Sequence, residues 1–164
     1  MRKPLSGQMS PMHELTTLRA LAEQASRQAY APYSKLRVGA ALRSASGQVY
    51  AGCNVENASF TIGNCAERAA IAAAVQAEGQ GFRLAAIAVT AFTADGSVLP
   101  ISPCGACRQA MVEFGPQAAV TFRQPDGDWI DVDADALLPF RFILQQPQAT
   151  NATPAPALAQ SLPG

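Results

Sequence analysis

The chain has 164 residues, of which 49% are hydrophobic, so it is long enough for one globular domain with a sizeable core. Lys and Arg together number 12, as do Asp and Glu, so no net charge attracts a polyanion and we expect no nucleic-acid partner. The absence of an apolar run of about 18 residues argues against a membrane span. Residues 4–12 lack the apolar core of a secretory signal, so we expect a cytoplasmic protein.

The first predicted element is a helix over residues 13–30, where Leu and Ala recur at helical spacing before Pro32. Residues 1–11 contain Pro and Gly without such a pattern, and we expect them to form a flexible arm. Two β-compatible runs follow, at 36–42 and 48–54, separated by Ser-Ala-Ser-Gly. This composition predicts a hairpin.

The middle of the chain predicts two helices with a strand between them. Residues 65–78 are rich in alanine and end at Gly79, which is typical of a helix. The short apolar run at 84–90 indicates a strand that is buried on both faces. Residues 105–114 lie between a proline and a Gly-Pro pair, and they predict a further helix.

The last part of the domain predicts two strands, 118–122 and 129–132, on either side of the Asp126-Gly127 turn. Asp133 caps a short predicted helix that extends through Leu138. Residues 145–164 consist mostly of Gln, Ala, Pro and Thr, and we expect them to be a flexible tail.

The order of these elements argues for an α/β layered domain covering residues 12–144. Both clusters of cysteines fall where a predicted helix begins after a strand or loop. In open α/β sheets, ligand crevices form at such positions. We therefore expect the functional site there.

The two cysteine clusters have the spacing of a zinc-deaminase signature. Cys65 precedes Glu67 by two positions, and a later proline is followed by Cys104 and Cys107. Cys104 and Cys107 share one face of a helix's first turn, so they can bind one metal ion. Three thiolates leave one tetrahedral position of Zn²⁺ open, which is the catalytic pattern and not the structural one.

The neighbours of these cysteines suggest further roles. Glu67 diverges from Cys65 on a helix, so it can move protons beside the metal without binding it. Arg68 can donate hydrogen bonds to sulfur and withdraw charge from the cluster. Cys53 and His13 lie outside the pattern, and we expect a core residue and a surface residue, respectively.

Each of these residues also has an ordinary alternative interpretation. Cys65 alone would be a small buried residue, and Cys104 with Cys107 could form a redox pair. Glu67 and Arg68 could be exposed helical side chains. Their joint occurrence favours the zinc site.

Several motifs, in this order, resemble the small three-cysteine homotetrameric cytidine deaminases. The resemblance extends from about Tyr33 to Phe142. The motifs are Pro32-Tyr33-Ser34-Lys35, Val38-Gly39-Ala40-Ala41, Gly52-Cys53-Asn54-Val55-Glu56-Asn57-Ala58, Cys65-Ala66-Glu67-Arg68, Ser102-Pro103-Cys104-Gly105-Ala106-Cys107-Arg108-Gln109 and Leu137-Leu138-Pro139.

The resemblance implies a three-layer cytidine-deaminase-like domain, with a mixed central sheet of about five strands and helices on both faces. It implies zinc on Cys65, Cys104 and Cys107, with Glu67 as the proton shuttle. The implied reaction is the hydrolytic deamination of cytidine and deoxycytidine to uridine and deoxyuridine in pyrimidine salvage, with release of ammonia. The implied assembly is a homotetramer whose sites are completed by neighbouring subunits.

The resemblance also implies how a nucleoside binds. Asn54 and Glu56 match a pair that holds the ribose hydroxyls, and the Ala66 backbone N–H matches the group that receives the pyrimidine carbonyl. Phe142 matches an aromatic residue that reaches a neighbouring subunit's pocket. Phe60 matches an aromatic position near an adjoining subunit's site.

The chain departs from the family pattern at two places. Leu36-Arg37 stands where Phe-Pro is common, so an aliphatic side chain replaces the aromatic contact with the base. Phe60 stands where Tyr is usual, which removes a hydroxyl group. Neither change affects the residues implied to bind zinc.

Other functions remain open from the sequence. A deaminase of another cytosine-like compound, such as an aminonucleoside antibiotic, would share the fold, although Asn54 and Glu56 favour an ordinary nucleoside. A zinc-stabilised binding module would need neither Glu67 nor an open coordination position. A thiol redox sensor is a further non-enzymatic alternative.

Overall fold

The computed structural model describes residues 11–144. Its α-helices are α1 (Pro11–Ser26), α2 (Ala66–Glu78) and α3 (Gly105–Phe114). Its strands are β1 (Arg37–Ser44), β2 (Val49–Cys53), β3 (Leu84–Phe92), β4 (Val98–Leu99), β5 (Ala119–Arg123) and β6 (Trp129–Asp133). Three short 3₁₀ helices cover Phe60–Ile62, Gly79–Gly81 and Ala134–Leu137. Residues 1–10 of the predicted arm and the whole predicted tail, 145–164, lie outside the described residues.

The strands form one mixed sheet in the order β2-β1-β3-β5-β6, and the short β4 pairs with β3 outside this path. β3 and β5 run parallel, whereas the other neighbouring strands run antiparallel. The predicted hairpins are present, one between β1 and β2 and the other between β5 and β6. The expected mixed sheet is confirmed, with six strands in place of about five.

Helices cover both faces of the sheet, as predicted. Val38 and Leu42 of β1 point into the larger core, which also contains buried residues of α2 and α3. Ala41, between them, faces the opposite side and packs with Leu18 and Ala22 of α1. This alternation follows from the two-residue period of a strand. No helix among residues 11–144 has both the length and the apolar character needed to cross a membrane.

The first helix ends four residues earlier than predicted, at Ser26 and not at Tyr30. Tyr30 instead pairs with the chain that follows β2, because its N–H donates to the Asn54 carbonyl (3.1 Å) and its carbonyl accepts the Glu56 N–H (2.8 Å). This long-range pairing overrides the local helical pattern. The predicted last helix is also shorter, a single 3₁₀ turn at Ala134–Leu137.

Glycine allows close helix packing on each face of the sheet. A Cβ added at Gly39 would lie 1.9 Å from the Ala22 carbonyl oxygen of α1. A Cβ added at Gly52 would lie 2.5 Å from the Ala70 nitrogen and 2.7 Å from the Ala66 oxygen of α2. Because these atoms belong to helix backbones, they cannot move aside cheaply. The lack of a side chain at Gly52 therefore allows the start of α2 to pack directly against the end of β2.

Replacement of Gly52 by alanine should lower the free energy of unfolding by about 2 kcal/mol, because the new methyl group overlaps the backbone of α2. Gly81→Ala is the matched control, since nothing lies within 4 Å of its added Cβ. Urea denaturation of both variants measures the difference. Equal stabilities would contradict the close packing.

Candidate active site

A cavity of about 630 Å³ opens where the end of β2 meets the starts of α2, α3 and β1. Its walls contain most of the candidate residues that the sequence predicted, although these residues come from separate parts of the chain. These are Leu36, Asn54, Glu56, Phe60, Cys65, Ala66, Glu67 and Cys104. Cys107 is buried next to the cavity's cysteines, whereas Phe142 and Arg68 do not line the cavity.

Three cysteine sulfurs converge at the start of the two helices. Cys65 occupies the N-cap position of α2 and Cys104 that of α3, both with extended backbone, and Cys107 lies in the first turn of α3. The sulfurs of Cys65 and Cys104 are 3.9 Å apart, and all three lie within 4.8 Å of one another. Tetrahedral zinc with Zn–S bonds of about 2.3 Å requires sulfurs about 3.8 Å apart. The three sulfurs therefore fit a zinc ion.

The group of candidate ligands stops at three. Within residues 11–144, no histidine, aspartate, glutamate or fourth cysteine joins this cluster. His13 is exposed on α1, and Cys53 is half-buried in β2. A zinc ion held by three protein ligands keeps a coordination position for water or substrate.

Cys65 and Cys107 differ in the direction of their pKa shifts. The pKa of the Cys65 thiol is lowered to about 6, chiefly because the Cys107 thiol donates a hydrogen bond to it, while burial opposes the shift. The pKa of Cys107 is raised, first by the same hydrogen bond and then by burial. The thiolate is the form that binds metal. The lowered pKa therefore favours the thiolate form of Cys65.

Arg68 acts on this cluster through its charge alone. Its side chain is exposed, and no hydrogen bond joins it to a cysteine sulfur within residues 11–144. Its positive charge contributes to lowering the pKa of Cys65. The hydrogen bonds to sulfur that the sequence suggested are absent among these residues, and the predicted withdrawal of charge from the sulfurs by Arg68 stays a prediction.

Glu67 brings a buried carboxyl group into the cavity. Its side chain is only 4% exposed, and it lies in the first turn of α2, two residues after Cys65. Burial raises the pKa of this carboxyl, and the charge of Cys65 adds to the increase. A hydrogen bond with Cys107 and one with its own backbone N–H act in the opposite direction. Such a carboxyl can both accept and return a proton.

Asn54 forms hydrogen bonds that stabilise the fold, and it also lines the cavity. Its Oδ1 accepts the Val38 N–H (2.8 Å), and its Nδ2 donates to the Leu36 carbonyl (2.9 Å). These bonds fix the chain that enters β1. One amide hydrogen of Asn54 stays available for a ligand, since an amide nitrogen carries two.

Glu56 holds the preceding loop in a similar way. Its Oε2 accepts the N–H groups of Tyr33 (2.9 Å) and Ser34 (3.2 Å), and its Oε1 accepts the Ser34 hydroxyl. The Ser34 hydroxyl is the main cause that lowers the pKa of Glu56 below its usual value. The carboxylate therefore stays ionised beside the cavity, where it can accept hydrogen bonds from hydroxyl groups.

The two departures from the family pattern lie in different surroundings. Leu36 lines the cavity, whereas Arg37 lines a separate cavity with Glu23 and Ser26 of α1. Phe60 is 79% exposed at the rim of its own chain's cavity, and its ring meets that of Tyr33 edge-on at 5.8 Å. Arg37 therefore does not line the main cavity.

Phe142 lies in an exposed segment near the end of the described chain. Its side chain is 70% exposed, and its backbone is held by the Gln109 amide of α3. Gln109 Nε2 donates to the Phe142 carbonyl (3.0 Å), and the Phe142 N–H donates to Gln109 Oε1 (3.3 Å). The ring does not reach the cavity of its own chain.

Two residues near the site were given no role by the sequence analysis. Arg108 donates to the carbonyls of Pro103 (2.7 Å) and Leu137 (3.0 Å) and to the Ser102 hydroxyl (3.3 Å), which fixes the loop before Cys104. Ser34 holds Glu56, as described above. Both lie inside the quoted motifs, but no spacing rule indicates which backbone groups they contact.

Three sulfurs at helix starts, with an open coordination position and a buried carboxyl alongside, define a zinc centre of the catalytic class. A family model described as the cytidine and deoxycytidylate deaminase zinc-binding region matches residues 12–123. The chain therefore belongs to the cytidine and deoxycytidylate deaminase family, and its metal is zinc. The resemblance seen in the sequence motifs is confirmed.

Individual relatives agree with this assignment. A cytidine deaminase of Sporosarcina psychrophila is 42% identical over 130 residues, covering 79% of this chain and 91% of the relative. The crystal structure of a cytidine deaminase from Burkholderia pseudomallei matches with a TM-score of 0.68 and 45% identity, over 82% of this chain and 100% of that one. A blasticidin-S deaminase of Bacillus cereus is more distant, at 26% identity over 66% of this chain and 79% of its own length.

The purified protein should contain about one zinc ion per chain, and Cys104→Ser should remove most of it, because two sulfurs hold zinc far less firmly than three. Cys53→Ser is the matched control, since Cys53 lies outside the cluster. Elemental analysis after dialysis measures the metal content. Full zinc content in Cys104→Ser would show that the metal binds elsewhere.

Proposed function

We propose that this chain is a zinc-dependent cytidine deaminase, which hydrolyses cytidine and deoxycytidine to uridine and deoxyuridine and releases ammonia. The observation that carries the proposal is the buried Glu67 carboxyl beside three sulfurs, in a cavity that is also lined by Asn54 and Glu56. A site that only stabilised the fold would need neither the carboxyl nor the cavity.

In this proposal Glu67 moves the protons of the reaction. Zinc bound by the three thiolates supplies Lewis-acid activation of water near neutral pH. Glu67 accepts a proton from the attacking water and gives it to ring N3, which makes C4 more electrophilic. As the water oxygen adds to C4, Glu67 takes the remaining proton and delivers it to the exocyclic amine. The C4–N bond then breaks, ammonia leaves and a carbonyl remains at C4.

Other residues of the cavity orient the nucleoside. Asn54 and Glu56 are proposed to hold the ribose hydroxyls, using the free amide hydrogen and the ionised carboxylate described above. The Ala66 N–H begins α2, and the first N–H groups of a helix have no partner within it, so this group can donate to the pyrimidine carbonyl. Leu36 packs against the base, and Arg68 offsets part of the charge of the thiolates.

Glu67→Gln should keep its zinc and lose turnover by a factor of about 10³ or more, because an amide cannot accept and return the proton. Glu113→Gln is the control, since this glutamate is exposed on α3, outside the cavity. Ammonia release from cytidine and elemental analysis measure the two properties. Substantial activity in Glu67→Gln would rule out the proposed proton shuttle.

The main alternative is deamination of an aminonucleoside antibiotic. The distant match with a blasticidin-S deaminase is the observation that favours testing it. The higher identity with cytidine deaminases favours cytidine and deoxycytidine. Comparison of ammonia release from cytidine, deoxycytidine and blasticidin S discriminates between the two functions.

We also propose a homotetramer whose sites are completed by neighbouring subunits, acting in pyrimidine salvage in the cytoplasm. Four apolar residues near the end of the described chain are largely exposed, and Phe142 is among them; they are Phe140, Phe142, Ile143 and Leu144. Phe60 and Ile62 are exposed at and near the cavity rim. Apolar surface of this kind commonly marks an interface. The four free cysteines are compatible with a reducing compartment.

Co-expression of Glu67→Gln with Phe142→Ala should restore activity that neither variant has alone. In a mixed oligomer, a Phe142→Ala chain keeps its Glu67 and receives the missing ring from a Glu67→Gln neighbour. The control is Glu67→Gln co-expressed with the double variant, in which no chain keeps Glu67, so no site can be completed. No recovery in mixed oligomers isolated with two affinity tags would contradict the exchange of Phe142 between subunits.

A further inference from the structure

One wall of the cavity, from Tyr33 to Val38, is held by backbone hydrogen bonds and by two side chains, those of Asn54 and Glu56, that also line the cavity. Glu56 binds the N–H groups of Tyr33 and Ser34, and Asn54 binds the Leu36 carbonyl and the Val38 N–H. The backbone at Lys35 has a φ of 61°, which non-glycine residues adopt at some energetic cost. This wall therefore depends on its hydrogen bonds to keep its shape.

The Ser34 hydroxyl connects this wall to Glu56. It donates a hydrogen bond to Glu56 Oε1 and accepts one from the Leu36 N–H at 3.0 Å. The first bond orients the carboxylate proposed to hold the ribose, and the second fixes the residue proposed to pack against the base. No other side chain within residues 11–144 is seen to form hydrogen bonds with both Glu56 and the Leu36 N–H.

We propose that Ser34 is a positioning residue for substrate binding, which sets the direction of the Glu56 carboxylate toward the sugar hydroxyls. This inference rests on the proposed function. Loss of the hydroxyl frees Oε1, while Oε2 stays attached to the two backbone N–H groups. The carboxylate would then remain in the cavity but rotate about Oε2. Its free oxygen would no longer have a fixed orientation for accepting a hydrogen bond from a sugar hydroxyl.

The chemistry of the hydroxyl makes the proposal specific. A single oxygen must donate to a carboxylate and accept from an N–H group, which serine and threonine can do and alanine cannot. Ser34 is exposed, so the additional methyl group of threonine has room. Ser34→Thr is therefore the conservative variant that should preserve function, and Ser34→Ala is the disabling one.

The test compares two substrates that differ only in the sugar. Steady-state kinetics are measured for the zinc-loaded wild type, Ser34→Ala and Ser34→Thr, with deoxycytidine and with dideoxycytidine, which lacks the 3′-hydroxyl. A hydrogen bond to a charged group contributes roughly a tenfold effect. We expect Ser34→Ala to raise KM for deoxycytidine about tenfold with little change in kcat, and to lower kcat/KM for dideoxycytidine only about twofold. Ser34→Thr should stay within about twofold of the wild type.

A second measurement does not depend on catalysis. Carboxyl ¹³C NMR of zinc-loaded protein follows the titration of Glu56, whose pKa is lowered first by Ser34 and also by the Tyr33 and Ser34 N–H groups and the charge of Lys35. Ser34→Ala should raise this pKa, while Ser34→Thr should leave it unchanged. Zinc content and circular dichroism establish that each variant is folded.

The outcomes separate this inference from the function on which it rests. A wild type that releases no ammonia from deoxycytidine would refute the proposed function. An active wild type would overturn the role of Ser34 if Ser34→Ala lost equal activity on both substrates or none on either. An unchanged Glu56 pKa in Ser34→Ala would likewise overturn it.

Discussion

The meeting of three sulfurs at two helix starts is the constraint on which the rest of the site depends. Cys65 lies at the start of α2, whereas Cys104 and Cys107 lie at the start of α3. A zinc ion bound by all three joins two helices whose N-cap cysteines are 39 positions apart in the sequence. Backbone N–H groups at helix starts favour thiolates. The same geometry places Glu67, in the first turn of α2, beside the metal. Binding of the metal and placement of the proposed proton carrier therefore follow from one arrangement.

On the other side of the cavity, two residues shape the site proposed to bind the nucleoside. Asn54 and Glu56 follow directly from β2, and each binds backbone groups of the segment that leads into β1. Their remaining hydrogen-bonding capacity faces the cavity. Side chains already fixed by the protein lose little further freedom when a ligand binds, which favours both affinity and selectivity. The same bonds therefore support the fold and the proposed recognition of the ligand.

Local patterns predicted much of the fold and most of the candidate site. The proline and glycine around α3 marked its limits, and Asp126-Gly127 marked the β5–β6 hairpin. The end of α1 could not be predicted, because it is set by pairing of Tyr30 with the chain after β2, which is distant in sequence. β4 has only two residues, too few for a periodic signal. The link from Ser34 to Glu56 depends on tertiary contacts, which spacing does not encode.

X-ray absorption at the zinc edge of the purified protein is the most direct test of the three-sulfur centre. We expect three sulfur neighbours at about 2.3 Å and one lighter atom, oxygen or nitrogen, at about 2.0 Å. The lighter neighbour corresponds to the coordination position that the reaction requires. Four sulfur neighbours, or a shell made mainly of oxygen and nitrogen, would contradict a catalytic centre built on Cys65, Cys104 and Cys107.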